Sequence, residues 1–405
     1  MRNFAKILWF NAPTKSSHIK IFLTLALTAF LFSVSGEALA SPSVSAVSAV
    51  LIETSGGRIL YEKNANKKMP MASTTKIATA ICAIENSNVD KLIEVNPKAV
   101  GIEGSSIYLA RGEKLTVREL LYGTMLNSGN DAATALAYEV GGSVENFAAM
   151  MNLTAKKAGA ENTNFVNACG LYEDEHYTTA ADLAKISAYA LQNPLFAEIA
   201  ACREIKISNG DKGYPRILKN HNKLLSMYEG CIGVKTGYTK KCGRCLVSAA
   251  MRNGVILVCV TLNAPDDWND HKNLLDYGFS KVKSKTVAYA GDYCMSGATK
   301  NALSPFVKLT LESDLTYTEI ADEENRLELV CETDGKILPH TKRGTVVGTA
   351  TLYCNQKVCD VANLVCSEDV LPSPTLTYAE KFAALMKQMM TDSTSTDKIR
   401  YTSHH

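Results

Sequence analysis

The chain has 405 residues, of which 46% are hydrophobic and 21% are charged, and 43 basic against 41 acidic side chains leave a formal net charge of +2. This length favours two structured parts with appendages, and the hydrophobic content excludes disorder along the whole chain. The balanced charge gives no broad basic surface, so nucleic acid is not expected as a partner.

The first 40 residues have the pattern of a secretory signal rather than of a folded segment. Basic residues precede an apolar run at 21–34, and Ala38-Leu39-Ala40 follows as a small-x-small cleavage site. The apolar run is shorter than the roughly 20 residues that a membrane-spanning helix needs. We therefore expect cleavage after Ala40 and export of the mature protein, and the alternative is an uncleaved membrane anchor.

Strands and helices alternate in the next part of the chain. Strand-like runs at 47–53 and 58–62 flank a glycine-rich turn and predict a hairpin. Helical patterns then begin at Ser73, at the capping-box sequence that Thr116 opens, and near Thr179. This order predicts a sheet that opens the domain and helices that cover it.

A second hairpin and a further helix follow. The apolar runs at 245–251 and 255–262 meet at Asn253-Gly254, and the second run is apolar at nearly every position, as in a strand buried on both faces. A helix over 270–277 is predicted to end at Gly278. Strands on both sides of a helical middle predict an α+β domain.

Short β-rich pieces replace the helical patterns beyond residue 283, and Asn355-Gln356 is predicted to form a turn between two of them. The predicted pieces lie at 306–311, 327–330, 345–353 and 357–365. Prolines then lead to an amphipathic helical pattern at 378–390. We divide the chain into a signal at 1–40, an α+β domain at 41–282, a small all-β domain at 283–371 and a C-terminal segment at 372–405.

Ser73-Thr74-Thr75-Lys76 places a hydroxyl and an amine three residues apart, which on a helix brings them to one face. A serine is a poor nucleophile unless a base takes its proton, and Lys76 can serve only if its pKa is depressed. Burial and a second cation both depress the pKa of a lysine, and Lys235 is the candidate cation. The motif therefore predicts an activated serine at Ser73.

Two later segments offer groups that complete such a site. Ser128-Gly129-Asn130 supplies a second hydroxyl that can pass a proton to a leaving amine, and an amide that can orient the substrate. Lys235-Thr236-Gly237 supplies a cation and a hydroxyl for a carboxylate, on a strand edge where glycine permits close approach. Ser-x-x-Lys, Ser-x-Asn and Lys-Thr-Gly in this order form the signature of class A β-lactamases and penicillin-binding proteins.

On these motifs the chain resembles the low-molecular-mass penicillin-binding proteins, the serine D-Ala-D-Ala carboxypeptidases. The resemblance includes Gly344-Thr345-Val346-Val347-Gly348 in the β-rich part and covers nearly the whole chain. It implies a β-lactamase/transpeptidase-like catalytic domain that removes the terminal D-alanine from peptidoglycan stem peptides and binds β-lactam antibiotics. It also implies an extracytoplasmic location, with the C-terminal helix lying on the outer face of the cytoplasmic membrane; the alternative is a helix packed against the β-rich domain.

The resemblance assigns a role to each site residue, and it requires neither a metal nor an organic cofactor. Ser73 is the acyl-ester nucleophile, Lys76 its base, and Ser128 a proton relay. The backbone amides of Ser73 and Tyr238 form the oxyanion hole. The implied substrate-binding residues are Asn130, Lys235, Thr236, Gly237 and Tyr238.

Two positions depart from the family pattern. Cys169 stands where a histidine is expected, in Asn167-Ala168-Cys169-Gly170-Leu171. Some relatives carry an arginine near the last helix of the catalytic domain for the terminal carboxylate of the substrate, whereas this chain has Asp266-Asp267-Trp268. We expect Lys235 and Thr236 to bind that carboxylate.

Three rival functions share these motifs. A β-lactamase needs a positioned glutamate, and Glu173 and Glu175 are interpreted instead as a solvated acidic loop. A catalytically silent wall-binding protein would make contacts with partners through its β-rich domain. Transpeptidation would follow if an amine, rather than water, took the acyl group.

Twelve cysteines are scattered along the chain rather than packed into a small disulfide scaffold. Cys242-Gly-Arg-Cys245 has redox or zinc spacing, but Cys354 and Cys359 have the wrong interval for a second zinc pair. We expect buried or free thiols, which would suit a reducing or anaerobic habitat.

Overall fold

A computed structural model describes residues 41–210, 213–321, 323–373, 378–391 and 400–402, and the signal predicted at 1–40 lies outside this part of the chain. Its strands, in chain order, are β1 Ser48–Glu53, β2 Arg58–Lys63, β3 Leu92–Glu94, β4 Lys114–Thr116, β5 Glu204–Ile207, β6 Arg216–Lys219, β7 Cys231–Thr239, β8 Gly243–Arg252, β9 Val255–Leu262, β10 Val282–Ala288, β11 Tyr293–Ala298, β12 Phe306–Leu311, β13 Leu315–Ile320, β14 Arg326–Thr333, β15 Val346–Cys354, β16 Lys357–Cys366 and β17 Arg400–Thr402. Its α-helices are α1 Lys76–Glu85, α2 Val117–Met125, α3 Asn130–Gly141, α4 Val144–Lys157, α5 Ala180–Leu191, α6 Pro194–Ala201, α7 Leu224–Met227, α8 Asp267–Lys281 and α9 Tyr378–Thr391, and 3-10 turns lie at Ala72–Thr75 and Pro97–Ala99.

A five-stranded antiparallel sheet in the order β2-β1-β9-β8-β7 is the centre of the first part, which confirms the predicted α+β architecture. Alternate side chains of its central strands enter two different apolar cores. Val258 and Val260 of β9 pack on one face with helices α1 to α6, whereas Leu257 and Cys259 pack on the other face with α8. Strand β9 is therefore covered on both faces, as its apolar run predicted.

Local sequence signals explain several boundaries of these elements. Asn253 and Gly254 adopt φ values of 50° and 80°, as the tight turn between β8 and β9 requires. The side chain of Thr116 accepts a hydrogen bond from the backbone N–H of Glu119, whose carboxylate accepts from the backbone N–H of Thr116. Thr179 caps α5 in a similar way. These predictions are confirmed.

The predicted end of the last helix in this part is wrong. Helix α8 begins at Asp267 and continues through Gly278 to Lys281. A Cβ atom on Gly278 would lie 2.6 Å from Leu51 Cδ2 and 2.7 Å from Leu257 Cδ1. Gly278 therefore allows the helix to pack closely on the sheet and does not terminate it.

The β-rich part contains a six-stranded sheet in the order β11-β12-β16-β15-β14-β17, and β10 pairs with β13 beside it. The pieces predicted from sequence correspond to β12, β14, β15 and β16, and they share one apolar core. Asn355 and Gln356 form the predicted turn, with φ values of 51° and 67°. Lys357 Nζ donates to the carbonyl of Gly56 at 3.2 Å, which ties this part to the first hairpin of the chain.

The amphipathic pattern near the C-terminus is helical over Tyr378–Thr391. The side chains of Tyr378 and Phe382 are 93% and 64% exposed, so the apolar face of α9 is largely uncovered. Within the described residues, no helix is both long enough and apolar enough to cross a membrane.

Candidate active site

Ser73 lies in the 3-10 turn Ala72–Thr75 that leads into α1. The α-helix predicted to begin at Ser73 begins three residues later, at Lys76. The preceding residue, Ala72, is buried and has a left-handed φ of 47°, which is a strained conformation for a residue with a Cβ atom. The hydroxyls of Thr74 and Thr75 donate to the carbonyls of Met71 and Ala72 at 2.6 and 2.8 Å. These bonds hold the turn so that Ser73 alone among its four residues reaches the surface.

Lys76 begins α1, and its side chain is completely buried. Its Nζ lies 3.0 Å from Ser73 Oγ, 2.7 Å from Asn130 Oδ1 and 2.6 Å from the carbonyl oxygen of Cys169. Burial lowers the pKa of Lys76 to about 8, although the nearby Cys169 and Asp131 act in the opposite direction. About a tenth of this amine is therefore unprotonated at pH 7, directly beside the serine hydroxyl.

The second segment reaches the site at the start of α3. Ser128 is buried with a left-handed φ of 60°, and Asn130 is the first residue of the helix. Asn130 is fixed on both sides, because its backbone N–H donates to the carbonyl of Ser105 at 2.7 Å and its Nδ2 donates to the carbonyl of Glu103 at 2.5 Å. Its Oδ1 is thereby aimed at Lys76, and Ser128 lies two residues away in the same turn.

The third segment lies within β7, the edge strand of the five-stranded sheet. Lys235 is 1% exposed and donates to the carbonyl of Thr236 at 3.0 Å. Burial, and then the positive charge of Lys76, lower the pKa of Lys235 well below its usual range. Burial is the predicted cause that lowers the pKa of Lys76, but the predicted second cation, Lys235, is not among the causes there. The charge of Lys76 instead lowers the pKa of Lys235.

Glycine at position 237 allows β7 to touch the turn that carries Ser73. A Cβ atom there would lie 3.0 Å from the backbone nitrogen of Ser73 and 3.1 Å from that of Thr74. Thr236 is half-buried beside it, whereas the next side chain, Tyr238, is 66% exposed. The strand therefore forms one side of the site at Ser73, with the backbone of Gly237 against the turn.

The structure brings the three predicted segments together around Ser73. Lys76 and Asn130 are in direct contact, Gly237 packs on the turn, and Lys235 is close enough for its charge to be affected by Lys76. Thr236 and Tyr238 follow Lys235 along the same strand.

Cys169 contributes its backbone rather than its thiol. The carbonyl accepts the bond from Lys76, whereas Sγ lies 3.7 Å from Asn167 Oδ1. At the other departure from the family pattern, Asp267 pairs with Arg244 at 2.9 Å. Glu173 and Glu175 are exposed, as expected of a solvated acidic loop.

Sequence reasoning did not identify His176 as part of this region. It is 3% exposed, lies 2.8 Å from Thr75 Oγ1 through Nε2, and accepts at Nδ1 from the backbone N–H of Val166 at 3.1 Å. The sequence carries no signal for this contact, because it joins residues 101 positions apart.

All twelve cysteines, which lie in the described part of the chain, are free thiols, and the described residues contain no cluster of three groups suited to a metal ion.

Comparisons with known proteins show the family to which this chain is similar. The profile of the D-alanyl-D-alanine carboxypeptidase family matches residues 35–266, and that of the C-terminal domain of penicillin-binding protein 5 matches residues 283–371. D-alanyl-D-alanine carboxypeptidase DacF of Bacillus subtilis is 30% identical over 371 residues, which cover 89% of this chain and 95% of the relative.

Two solved structures are similar to the same regions. Penicillin-binding protein 5 from Haemophilus influenzae aligns with a TM-score of 0.59 and 25% identity over 82% of this chain and 99% of that chain. The Streptomyces K15 DD-transpeptidase aligns with a TM-score of 0.57 and 34% identity over 60% of this chain and 100% of that chain.

The α+β fold and a serine beside a buried, depressed-pKa lysine define a serine hydrolase of the penicillin-binding class. With the matches above, the chain belongs to the D-alanyl-D-alanine carboxypeptidase family, as a low-molecular-mass penicillin-binding protein with a β-rich C-terminal domain.

Proposed function

We propose that this protein removes the terminal D-alanine from peptidoglycan stem peptides ending in D-Ala-D-Ala, through an acyl-enzyme on Ser73. The observation that carries the proposal is the 3.0 Å separation between Ser73 Oγ and the buried amine of Lys76, whose pKa of about 8 makes it a usable base. The same acyl transfer explains covalent binding of β-lactam antibiotics, and it needs neither a metal nor an organic cofactor.

In the first step, Ser73 Oγ attacks the carbonyl carbon of the penultimate D-alanine while Lys76 accepts the hydroxyl proton. The oxyanion is stabilised by the backbone N–H groups of Ser73 and Tyr238, and the departing amine of D-alanine receives its proton through Ser128. Water then attacks the ester, and the shortened peptide leaves. Support for this sequence is the fixed position of Asn130, which holds the second segment against Lys76.

Substrate binding is assigned to Asn130 and to the strand that carries Lys235, Thr236, Gly237 and Tyr238. A buried cation attracts an anion strongly in a low-dielectric cleft, which suits the terminal carboxylate of the peptide. A carboxylate bound there would favour the protonated form of Lys235, which is buried next to the half-buried Thr236.

Labelling with a fluorescent penicillin tests the proposal most directly. We expect a persistent adduct that maps to the peptide containing Ser73, and release of D-alanine from a pentapeptide that Ser73→Ala abolishes. Rapid turnover of penicillin would indicate a β-lactamase instead. A labelled protein that releases D-alanine but transfers the acyl group to an added amine, with little hydrolysed tetrapeptide, would indicate transpeptidation.

We further propose four segments: a cleaved signal at 1–40, a catalytic domain at 41–282, a β-rich domain at 283–371, and a linker with helix and tail at 372–405. The matched range 283–371 supports the bounds of the β-rich domain, and the match at 35–266 supports a separate catalytic domain before it. Sequencing of the mature N-terminus is expected to begin at Ser41, and a start at Met1 would support the uncleaved anchor.

The proposed location is extracytoplasmic, on the outer face of the cytoplasmic membrane, with a role in cell wall biogenesis and cell shape. The exposed apolar side chains of Tyr378, Phe382 and Met386 support an in-plane contact of α9 with the membrane surface. Deletion of residues 375–405 is expected to release the mature protein from membranes. A truncated protein that still sediments with membranes would refute this contact.

A further inference from the structure

The loop at 164–178 is closed onto itself and onto the segment before Ser73. The backbones of Asn164 and Tyr177 exchange hydrogen bonds of 2.8 and 3.0 Å, and those of Met69 and Thr178 exchange bonds of 2.8 and 3.0 Å. The base of the loop is therefore attached four residues before Ser73. The middle of the loop reaches the site separately, where the carbonyl of Cys169 accepts from Lys76.

His176 joins this loop to the turn through bonds whose directions are all determined. The backbone N–H of Val166 can only donate, so Nδ1 of His176 must be an acceptor. The hydroxyl of Thr75 donates to the carbonyl of Ala72 at 2.8 Å, and therefore accepts the proton of Nε2 across 2.8 Å. The hydrogen bonds thus run in one direction, from the N–H of Val166 through His176 and Thr75 to the carbonyl of Ala72, the residue before Ser73.

These hydrogen bonds require a neutral His176 ring, and the surroundings of the ring favour that state. Burial, together with the positive charge of Lys76, lowers the pKa of His176 to about 4. The ring is therefore neutral near pH 7, with its one proton on Nε2. A second proton on Nδ1 would oppose the N–H of Val166.

The turn needs such a restraint because Ala72 is held in a strained conformation. Its φ is 47°, and its carbonyl also packs against Gly170, where a Cβ atom would lie 2.0 Å from that oxygen. The bond from Thr75 and the contact with Gly170 hold this carbonyl in place. Relaxation of Ala72 would turn the backbone that places Ser73 Oγ beside Lys76.

We propose that His176 is a positioning residue, whose neutral imidazole ties the turn that presents Ser73 to the loop whose carbonyl orients Lys76. The inference rests on the proposed function, because it assigns to His176 the task of aligning that nucleophile and base. His176 does not touch the substrate, and its effect passes through Thr75.

A matched pair of variants separates positioning from folding. His176→Asn retains an acceptor near Nδ1 for Val166 but loses the donor to Thr75, whereas His176→Gln retains a donor near Nε2 but loses the acceptor. Each variant loses one buried hydrogen bond, so we expect similar decreases in melting temperature. Only His176→Asn loses the bond to the turn, so its acylation rate constant for penicillin should fall about 10- to 100-fold with little change in the dissociation constant of the initial complex. His176→Gln should remain within about threefold of the wild type.

Thr75 provides the second arm of the test. Thr75→Val should reproduce the slow acylation, Thr75→Ser should restore it, and the double variant Thr75→Val/His176→Asn should be little slower than the worse single variant. Equal slowing in His176→Asn and His176→Gln, no slowing in either, or multiplicative effects in the double variant would overturn the proposal. Wild-type protein that fails to acylate at Ser73 would instead refute the proposed function, so the two failures are distinguishable.

Discussion

The two faces of the five-stranded sheet both bury polar side chains, but they do so in different ways. On the face covered by α8, His271 lies between Ser248 Oγ at 2.6 Å and Thr261 Oγ1 at 2.9 Å, and Asp270 accepts from Ser45 Oγ at 2.7 Å. On the opposite face, Lys76 and Lys235 are buried, and neither forms an ion pair with any residue in the described part of the chain.

The difference separates polar side chains that are buried for stability from those that are buried for function. Polar groups that satisfy one another through short local bonds stabilise the fold, whereas a buried cation without a counter-ion costs stability and must be retained for another reason. Two such buried amines and the half-buried Ser73 mark the proposed catalytic face. The predictions below test this distinction, from the largest expected effect on activity to the smallest.

Replacement of Lys76 by arginine should have the largest effect. Arginine keeps the charge but cannot lose its proton, so the proposed base is removed without removing the cation. We expect the rate of acylation by penicillin to fall by a factor of about 10² to 10⁴, measured by stopped-flow fluorescence. The exposed Lys67 offers a control, since Lys67→Arg should stay within about twofold of the wild type. Activity retained in Lys76→Arg would exclude Lys76 as the base.

The pH dependence of acylation should show the lowered pKa of Lys76. Because the reactive form is the free amine, the rate should rise with pH up to about 8 and fall about tenfold for each unit well below it. The same shift makes the unfolded chain bind more protons between about pH 8 and 10.5, so this lysine's contribution to the unfolding free energy increases across that range. A rate that is flat from pH 6 to 8, after correction for spontaneous hydrolysis, would contradict this assignment.

Lys235→Met should separate binding from stability. Loss of the cation is expected to weaken substrate binding and acylation by about 10- to 100-fold, the effect of one charge-assisted hydrogen bond. Because the amine is buried without an ion pair, urea unfolding should show a free energy that is unchanged or about 1 kcal/mol higher. A decrease of about 2 kcal/mol or more would place Lys235 among the structural polar groups.

His271→Asn should affect stability alone. Its loss leaves the buried hydroxyls of Ser248 and Thr261 imperfectly paired, which should cost about 1–3 kcal/mol of unfolding free energy. Acylation by penicillin, measured well below the melting temperature, should stay within about twofold of the wild type. A slower acylation rate at matched stability would show that the two faces are coupled.

The pH dependence of stability offers a further check on the same histidine. Burial lowers the pKa of His271 to about 3, so the unfolded chain binds more protons below about pH 6.5 and wild-type stability should decrease as the pH falls from about 6.5 toward 3. The decrease should be smaller in His271→Asn.

The elements predicted best are those whose signals are local. Asn253-Gly254 and Asn355-Gln356 fix two hairpins because their residues tolerate a left-handed backbone, and Thr116 carries its own capping box. The prediction that Gly278 ends the helix was wrong because glycine also occurs where a helix packs closely on a sheet. Local sequence does not distinguish these two uses.

In the active site, residues predicted from motifs were found together, whereas those that contribute through the backbone or through distant contacts were not recognised. The three motifs identify Ser73, Lys76, Asn130 and Lys235 by their side-chain chemistry. Cys169 acts through a carbonyl that every residue type possesses, so its identity gives no signal. The contact of His176 with Thr75 depends on how a loop folds back over a turn.

The close packing of Gly237 on the turn at Ser73 restricts how this protein can escape drugs that imitate its substrate. Any larger residue there would displace the strand from the backbone nitrogens of Ser73 and Thr74, which are 3.0 and 3.1 Å from the position of an added Cβ atom. In the proposed mechanism, antibiotic and peptide rely on the same backbone, so a change at this point harms both. Selection for resistance is therefore expected to favour substitutions at the outer rim of the cleft, such as at the exposed Tyr238.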